Sequence, residues 1–234
     1  MARYDVKESE FASHSVIARV VGDGGGKSLL DVGCAHGQLS ATFVSQGWDV
    51  TGIEPDSVDA AVARGRGIRV IEMTVEDSLE LLEEKFDMIV LADVLEHCAN
   101  PWIQLSRLVT LCRPDSKIVI SLPNIAHISV RMMLVLGHFD YSARGILDRT
   151  HLRFFTRRTA LDLVSSAGVV VECLKITPTP VELIFPRLMK SAWSRRFLAF
   201  NAGVSRVMPR LLGYQFILVC RVPDPSSVNS FQEE

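Results

Sequence analysis

The stretch LLDVGCAHGQL, residues 29–39, decides the fold of this chain. An apolar run reaches Asp31, a turn of small residues follows at Gly33, Ala35 and Gly37, and an amphipathic helical pattern begins directly after it. Small residues let the backbone approach a ligand closely, and a helix N-terminus offers free N–H groups and a partial positive charge. The segment therefore suits a bound carboxylate or phosphate, although a plain strand-to-helix connection has the same pattern.

Outside this segment, short β-branched runs alternate with amphipathic stretches of helical length. Such alternation predicts an α/β fold, with a doubly wound, mainly parallel sheet and helices on both faces. Seven strands are predicted, at residues 28–32, 48–54, 68–73, 86–91, 117–122, 169–176 and 214–222. Helices are predicted near residues 8–21, 37–46, 56–64, 101–112 and 157–167.

The composition is that of one ordinary globular domain. The chain has 234 residues, 48% of them apolar and 22% charged, and a formal net charge of −2, which argues against disordered and fibrous classes. Its five cysteines show no CxxC spacing, so neither a disulfide framework nor a thiolate zinc site is expected. Without a signal segment or a long apolar run, we expect a cytoplasmic protein. One domain over residues 1–222 and a disordered tail over 223–234 are predicted.

A carboxylate ends the second predicted strand. In WDVTGIEPD, residues 48–56, Glu54 lies 23 positions after Asp31, the spacing at which α/β nucleotide sites hold a carboxylate against ribose hydroxyls. A surface glutamate at a strand end is the plainer alternative. Asp31 would repel a pyrophosphate and the full GxGxxG fingerprint is absent, so a ligand with an amino group fits better than a nicotinamide cofactor.

With these motifs the sequence resembles the class I S-adenosylmethionine-dependent methyltransferases, in the branch associated with glycosyltransferases in polysaccharide and natural-product pathways. DVGCAHG (31–37) resembles the first motif of that family, IEPD (53–56) its ribose-binding motif, and FDMIVLADVLEHCANP (86–101) its fourth-strand motif. Residues 122–141 and 145–159 resemble the branch's region after the fifth strand. The resemblance implies a Rossmann-like sheet of seven strands with the last one antiparallel, S-adenosylmethionine as the cofactor, and O-methylation of a sugar or other small molecule.

Carried over position by position, the resemblance implies a set of cofactor-binding residues. They are Asp31, Gly33, Cys34, Ala35, Gly37, Glu54, Pro55, Val75, Glu76, Ala92 and Asp93. Asp31, Gly33 and Gly37 would hold the methionine end and Glu54 the ribose. Ala92 and Asp93, together with His97, would line the junction with the acceptor. The family usually has an aspartate after the third strand, where this chain reads MTVED, so the adenine contact falls to Thr74, Glu76 or the backbone at Val75.

Two histidines are the candidates for a catalytic base. Methyl transfer from a sulfonium depends on in-line positioning of the acceptor, and a base that removes its proton contributes about 10²- to 10⁴-fold. His97 follows the fourth strand and His151 opens HLRFFT, and either one equally suits a structural hydrogen bond. His127 and His138 belong to an apolar helical stretch, where they are expected to pack or to line the pocket wall.

A metal-dependent mechanism is the alternative in the same region. Asp93, Glu96, His97 and His151 resemble the ExxEH-plus-His arrangement of metal-dependent O-methyltransferases, including the small-RNA 2′-O-methyltransferases and some ubiquinone-pathway enzymes. Carboxylates combined with two imidazoles suit Mg²⁺, Mn²⁺ or Zn²⁺, and such an ion could bind a sugar diol and acidify it.

The C-terminal part of the chain is basic. Residues 183–234 contain 7 Lys and Arg against 3 Asp and Glu, whereas residues 1–182 contain 18 against 24. In residues 183–212 the basic side chains alternate with apolar ones, which predicts a helical insertion. It is either a lid over the acceptor site or an amphipathic helix that makes the protein peripheral to the inner face of an anionic membrane. Nucleic acid is disfavoured because the whole chain is slightly acidic.

The partner predicted from these patterns is a small-molecule or glycan acceptor. Two other functions stay open at this point: a nicotinamide-dependent oxidoreductase, which Asp31 opposes, and a cofactor-binding module without turnover.

Overall fold

The structure is a computed structural model that describes residues 10–181 and 192–223. Its strands are β1 (Ser28–Val32), β2 (Asp49–Ile53), β3 (Arg69–Ile71), β4 (Phe86–Ala92), β5 (Cys112–Pro123), β6 (Val170–Thr177) and β7 (Gln215–Arg221). Its helices are α1 (Ser13–Val21), α2 (Gln38–Ser45), α3 (Ser57–Gly65), α4 (Val75–Leu81), α5 (Pro101–Thr110), α6 (Ile128–Val135), α7 (Arg157–Ser166), α8 (Ala192–Val207) and α9 (Pro209–Leu212). A 3₁₀ turn covers Leu95–His97.

The seven strands form one sheet in the order β3-β2-β1-β4-β5-β7-β6. β7 pairs antiparallel with both β5 and β6, whereas the pairs among β1 to β5 are parallel. The predicted doubly wound sheet with an antiparallel last strand is therefore confirmed.

Both faces of the sheet are covered, which explains why its central strands are almost continuously apolar. Successive residues of a strand point to opposite faces. Leu30 of β1 packs in a core cluster with Leu105 of α5 and Leu163 of α7, and Leu29 packs in a second cluster with Phe43 of α2. These five side chains are fully buried, so β1 is held between two helical layers.

The element boundaries differ from the prediction at three places. The helix expected at 101–112 ends at Thr110, and β5 begins at Cys112 because its pairing with β4 continues across an irregularity between Phe86 and Met88. α4 was not predicted because VEDSLEL lacks a clear apolar period; Thr74 begins it by accepting a hydrogen bond from the amide of Asp77. The first helix begins at residue 13 rather than 8.

The segment between β5 and α7, residues 124–156, lies beside the carboxyl end of the sheet. The buried side chain of Asn124 anchors it, donating to the carbonyl of Gly213 at 2.8 Å and accepting from the amide of Ala126 at 3.0 Å. The amide of Ile125 donates to the carbonyl of Phe155 at 2.9 Å, which joins the two ends of the segment. We call this stretch the 124–156 segment.

The predicted helical insertion at 183–212 is only partly visible. Residues 183–191 lie outside the described residues, as does the tail from 224, and α8 and α9 cover most of 192–212. α8 is attached by Asn201, which donates to the carbonyl of Thr179, and by Ser205, which donates to that of Leu212. In the described part of the chain, no helix combines the length and the apolar character needed to cross a bilayer. The lid and membrane hypotheses both stay predictions.

Candidate functional site

The carboxyl ends of β1 and β4 form the crevice at which the connections leave the sheet in opposite directions. Ligands of open α/β sheets bind at such a switch point. Gly33 follows β1 with a φ of +69°, and a Cβ placed on it would lie 2.9 Å from Cγ2 of Val94, which follows β4. Glycine is needed here because its φ is positive and because a side chain would collide with Val94. The loop after β1 and the loop after β4 therefore approach each other closely.

The loop after β1 is held by main-chain bonds to β2. The amides of Gly33 and Cys34 donate to the carbonyl of Ile53 at 2.8 and 3.0 Å. Ala35 has a φ of +47° and Gly37 one of +70°, so the loop turns twice through the left-handed region before α2. Burial raises the pKa of the Cys34 thiol to about 12, which makes this cysteine a packing residue and not a nucleophile.

Asp31 is buried at the end of β1 and faces α2. Its carboxylate accepts a hydrogen bond from Ser40 at 2.5 Å. Burial raises its pKa to about 7, the bond from Ser40 opposes the shift, and the charge of Glu54 adds to it. No cation offsets the Asp31 charge in the described residues, so the site favours a positively charged ligand group.

Glu54, at the end of β2, joins the loop after β1 to the loop after β2. Its Oε2 accepts from the amide of Ala35 and its Oε1 from the amide of Asp56, both at 2.9 Å. Burial raises the pKa of Glu54, and these two amide bonds lower it. A carboxylate oxygen accepts more than one hydrogen bond, so both oxygens can also receive ligand hydroxyls. Its ribose role stays a prediction, as does that of the exposed Pro55 beside it.

The three groups that were predicted to contact adenine lie at the start of α4. The hydroxyl of Thr74 caps the helix by accepting from Asp77, and Oε1 of Glu76 accepts from Nε2 of Gln104 at 3.0 Å. The hydroxyl of Thr74 is thus engaged as the helix cap, whereas the carboxylate of Glu76 can accept further hydrogen bonds, so Glu76 and the backbone at Val75 both stay predicted adenine contacts.

Glu96, His97 and His151 form a cluster beyond β4. One ligand atom from each lies within 4.8 Å of the others, and the two imidazole centroids are 4.8 Å apart at 77°. Glu96 is 1% exposed, and neither of its carboxylate oxygens has a hydrogen-bond partner among the described residues. Burial, and then the charge of Asp93, raise the pKa of Glu96 well above its usual range. A buried carboxylate without a protein partner is suited to bind a ligand or a water molecule.

The rings of His97 and His151 are each oriented by a bond from Nδ1 to a main-chain carbonyl. Nδ1 of His97 lies 3.2 Å from the carbonyl of Thr150, and Nδ1 of His151 lies 3.0 Å from that of Ile146. Because a carbonyl only accepts, Nδ1 is the donor in both of these bonds, which leaves Nε2 as the ligand atom of each ring. Burial lowers the pKa of His151, which favours the neutral ring. Metal-binding histidines usually have such an outer hydrogen bond.

Main-chain bonds bring His151 to Glu96 although 55 positions separate them in the sequence. The carbonyl of Glu96 accepts from the amide of Leu152 at 2.8 Å and from that of Arg153 at 3.0 Å. The cluster therefore joins the end of β4 to the 124–156 segment.

The structure does not bring Asp93 into the cluster, so its place in the predicted metal set is corrected. Its backbone has a φ of +59°, and its carboxylate accepts from Ser121 at 2.6 Å and from Gln215 at 2.9 Å. It lies next to Ala92 at the end of β4, where its predicted place at the cofactor junction stays open.

The two remaining histidines have different surroundings. His127 is buried, bonded to Ser129 at 2.7 Å and to Thr179 at 2.9 Å, and burial lowers its pKa. It packs as predicted. His138, by contrast, is exposed, 3.6 Å from Asp140.

Comparison with known proteins relates this geometry to a family. A family model described as a methyltransferase domain matches residues 7–174. Ubiquinone biosynthesis O-methyltransferase of Aeromonas salmonicida is 29% identical over 154 residues, which are 62% of this chain and 64% of that protein. The protein of the same name from Photobacterium profundum is 30% identical over 105 residues, 42% of this chain and 45% of its own length. The chain thus spans less than two thirds of these relatives.

Solved structures share the fold at low sequence identity. A SAM-dependent methyltransferase from Archaeoglobus fulgidus matches with a TM-score of 0.63 and 15% identity over 90% of this chain and 95% of its own. The 1,6-didemethyltoxoflavin-N1-methyltransferase of Burkholderia thailandensis, solved with 1,6-didemethyltoxoflavin and S-adenosylhomocysteine, matches with a TM-score of 0.59 and 20% identity, covering 93% and 80%. The association with glycosyltransferases stays a prediction.

Proposed function

This chain belongs to the methyltransferase domain family and has the fold of SAM-dependent methyltransferases, and from that premise we propose that it transfers the methyl group of S-adenosylmethionine to an oxygen of a small molecule with neighbouring hydroxyls. Such an acceptor is a sugar or an aromatic diol. The observation that carries the proposal is the cluster of Glu96, His97 and His151 beyond β4. The O-methyltransferase names of the relatives support it, and family membership disfavours the nicotinamide alternative.

The crevice between β1 and β4 supplies the groups that the cofactor requires. Asp31 would pair with the ammonium of its methionine part, and the close loop at Gly33 would admit the chain of that part. Glu54 would accept from the ribose hydroxyls while the amides of Ala35 and Asp56 hold it in place. These residues bind and orient the donor so that its methyl group meets the acceptor oxygen in line.

Affinity for the cofactor should depend on pH through Asp31. Its pKa of about 7 falls when an ammonium binds, so binding below pH 7 releases a proton, and affinity rises by up to about tenfold per pH unit until it levels above 7. Calorimetric titration of S-adenosylhomocysteine in buffers of different ionisation enthalpy measures both the affinity and the protons released. An Asp31→Asn variant should bind more weakly and without this dependence. A flat profile for the wild type would remove the Asp31–ammonium pair from the proposal.

The donor set of the cluster fits a divalent cation. Among the described residues the carboxylate of Glu96 has no hydrogen-bond partner, and Nε2 of His97 and of His151 stays available as a ligand atom. Mg²⁺, Mn²⁺ or Zn²⁺ held there would act as a Lewis acid that lowers the pKa of an acceptor hydroxyl. If no cation is used, Nε2 of His151 is the atom that accepts the acceptor's proton, because burial keeps that ring neutral.

A labelled-methyl assay tests the proposal. Catechol, vicinal-diol sugars and matched compounds with a single hydroxyl are offered with radiolabelled S-adenosylmethionine, with and without a chelator. We expect transfer to a diol, loss of transfer with the chelator, and recovery on adding Mg²⁺, Mn²⁺ or Zn²⁺. Transfer that the chelator leaves unchanged would assign the reaction to His151 as base. Cofactor binding with no transfer to any diol would contradict the proposed acceptor class.

A further inference from the structure

A cavity of about 370 Å³ lies outside the cluster, at the N-terminal end of α7. Four arginines line it: Arg131, Arg157, Arg158 and Arg210. Leu161 contributes apolar surface, and Asp162 is the one acidic residue in its lining. Its volume is within the range of small-molecule sites. The proposed function makes no use of it.

Positively charged side chains outnumber negatively charged ones in the lining of the cavity. Arg158 approaches Asp162 at 3.7 Å in an exposed pair, and Arg131 donates through Nε to the carbonyl of Ala126 at 2.7 Å. Nε of Arg157 is buried and has no acceptor among the described residues. A buried donor without an acceptor costs free energy, and an anionic ligand in the cavity would remove that cost.

The position of two arginines in α7 adds to this imbalance. Arg157 and Arg158 are its first residues, and its first turn holds no acidic side chain. The N-terminus of a helix carries partial positive charge, so arginines are unfavourable there unless an anion is bound. Thr156 caps the helix by accepting from the amide of Thr159, so the helix begins in a fixed geometry.

We propose that this cavity binds the phosphate or diphosphate group of an organic ligand. Guanidinium groups match phosphate oxygens in geometry and charge, and the apolar wall at Leu161 suits the organic part. The cavity and the cluster are built on one stretch of chain: His151 and Arg157 are six residues apart, at most about 20 Å. We therefore assign the phosphate group to the acceptor of the methyl group. This assignment rests on the proposed function, whereas the binding of phosphate in the cavity does not depend on it.

Calorimetric titration of inorganic pyrophosphate into the full chain at low salt tests the site. The Arg131→Gln/Arg157→Gln double variant should bind pyrophosphate at least about tenfold more weakly than the wild type. The matched control is Arg66→Gln, an exposed arginine after α3, which should leave pyrophosphate affinity unchanged. S-adenosylhomocysteine affinity verifies that every variant is folded. No pyrophosphate binding by the wild type, or an equal loss in the control, would overturn the proposal.

Two further arms distinguish a soluble phosphate ester from a lipid headgroup. Displacement of pyrophosphate by glucose 1-phosphate assigns the site to a soluble ligand. Sedimentation with phosphatidic acid vesicles, absent with phosphatidylcholine vesicles and lost in the double variant, assigns it to a lipid. Failure of both arms would overturn the assignment to an organic phosphate. Because each readout is binding, a negative methyl-transfer assay leaves these results intact, and the failure of either proposal is recognised separately.

Discussion

Replacing Glu96 with alanine is expected to abolish cation binding at the cluster and to lower the rate of methyl transfer by about 100-fold or more, with cofactor affinity unchanged. Glu96 is the one carboxylate of the cluster, and both of its oxygens lack partners in the described part of the chain. Its removal would leave two imidazoles and no carboxylate, a donor set that holds a hard cation such as Mg²⁺ poorly. Titration of Mn²⁺, followed by calorimetry, measures the loss without knowledge of the acceptor.

Two variants separate this effect from a loss of structure. Glu96→Gln keeps the size of the side chain and removes its charge, so it should also lose Mn²⁺. Because burial raises the pKa of Glu96, the ionised group opposes folding in the absence of a ligand, and Glu96→Gln should melt no lower than the metal-free wild type. Glu83→Ala, at an exposed loop carboxylate, is the matched control. Unchanged Mn²⁺ affinity in Glu96→Ala would exclude the cluster as the cation site.

Replacing Glu54 with alanine should weaken S-adenosylhomocysteine binding by about 100-fold. Two charge-assisted hydrogen bonds to ribose hydroxyls are worth about 1.5 kcal/mol each, and about 3 kcal/mol corresponds to that factor. The variant also leaves the amides of Ala35 and Asp56 without the acceptor that now joins their loops. Both effects act on the cofactor crevice and neither on the cluster.

Calorimetry of the cofactor product gives the affinity directly, with NAD⁺ titrated in parallel. Asp49→Ala is a suitable control because Asp49 is an exposed carboxylate at the opposite end of the same strand. Mn²⁺ binding should survive in Glu54→Ala, the reverse of the pattern expected for Glu96→Ala. Wild-type affinity in Glu54→Ala would show that the ribose is held elsewhere, and preferential binding of NAD⁺ would contradict the assigned cofactor.

The sheet was predictable because its signals are local. Strands buried on both faces, such as β1 and β4, are continuous apolar runs, and small residues after β1 indicate the turn into α2. The beginning of β5 was not predictable in the same way. Residues 113–116 contain a proline and a left-handed aspartate, and only pairing with β4 across an irregularity keeps them in the strand.

The site residues that lie at the end of a strand were predictable, because a strand end is recognisable from the local sequence. The strand-to-turn pattern indicated Asp31 and the spacing from it indicated Glu54. His97 and His151 were suggested by their positions after the fourth strand and at the start of HLRFFT. Spacing failed for Asp93, whose positive φ and bonds to Ser121 and Gln215 depend on distant parts of the chain. The arginine cavity was missed for the same reason. The dipeptide Arg157-Arg158 is visible in the sequence, but Arg131 and Arg210 reach it only through the folded chain.

The 124–156 segment also has an evolutionary consequence. It is one uninterrupted stretch, and its link to the end of β4 includes main-chain bonds, from the amides of Leu152 and Arg153 to the carbonyl of Glu96. Bonds of this kind do not depend on which side chains the segment carries. Outside Asn124 and His151, whose side chains anchor the segment and complete the cluster, its sequence can therefore diverge while the crevice between β1 and β4 is inherited unchanged. New acceptors would then be acquired without rebuilding the donor site.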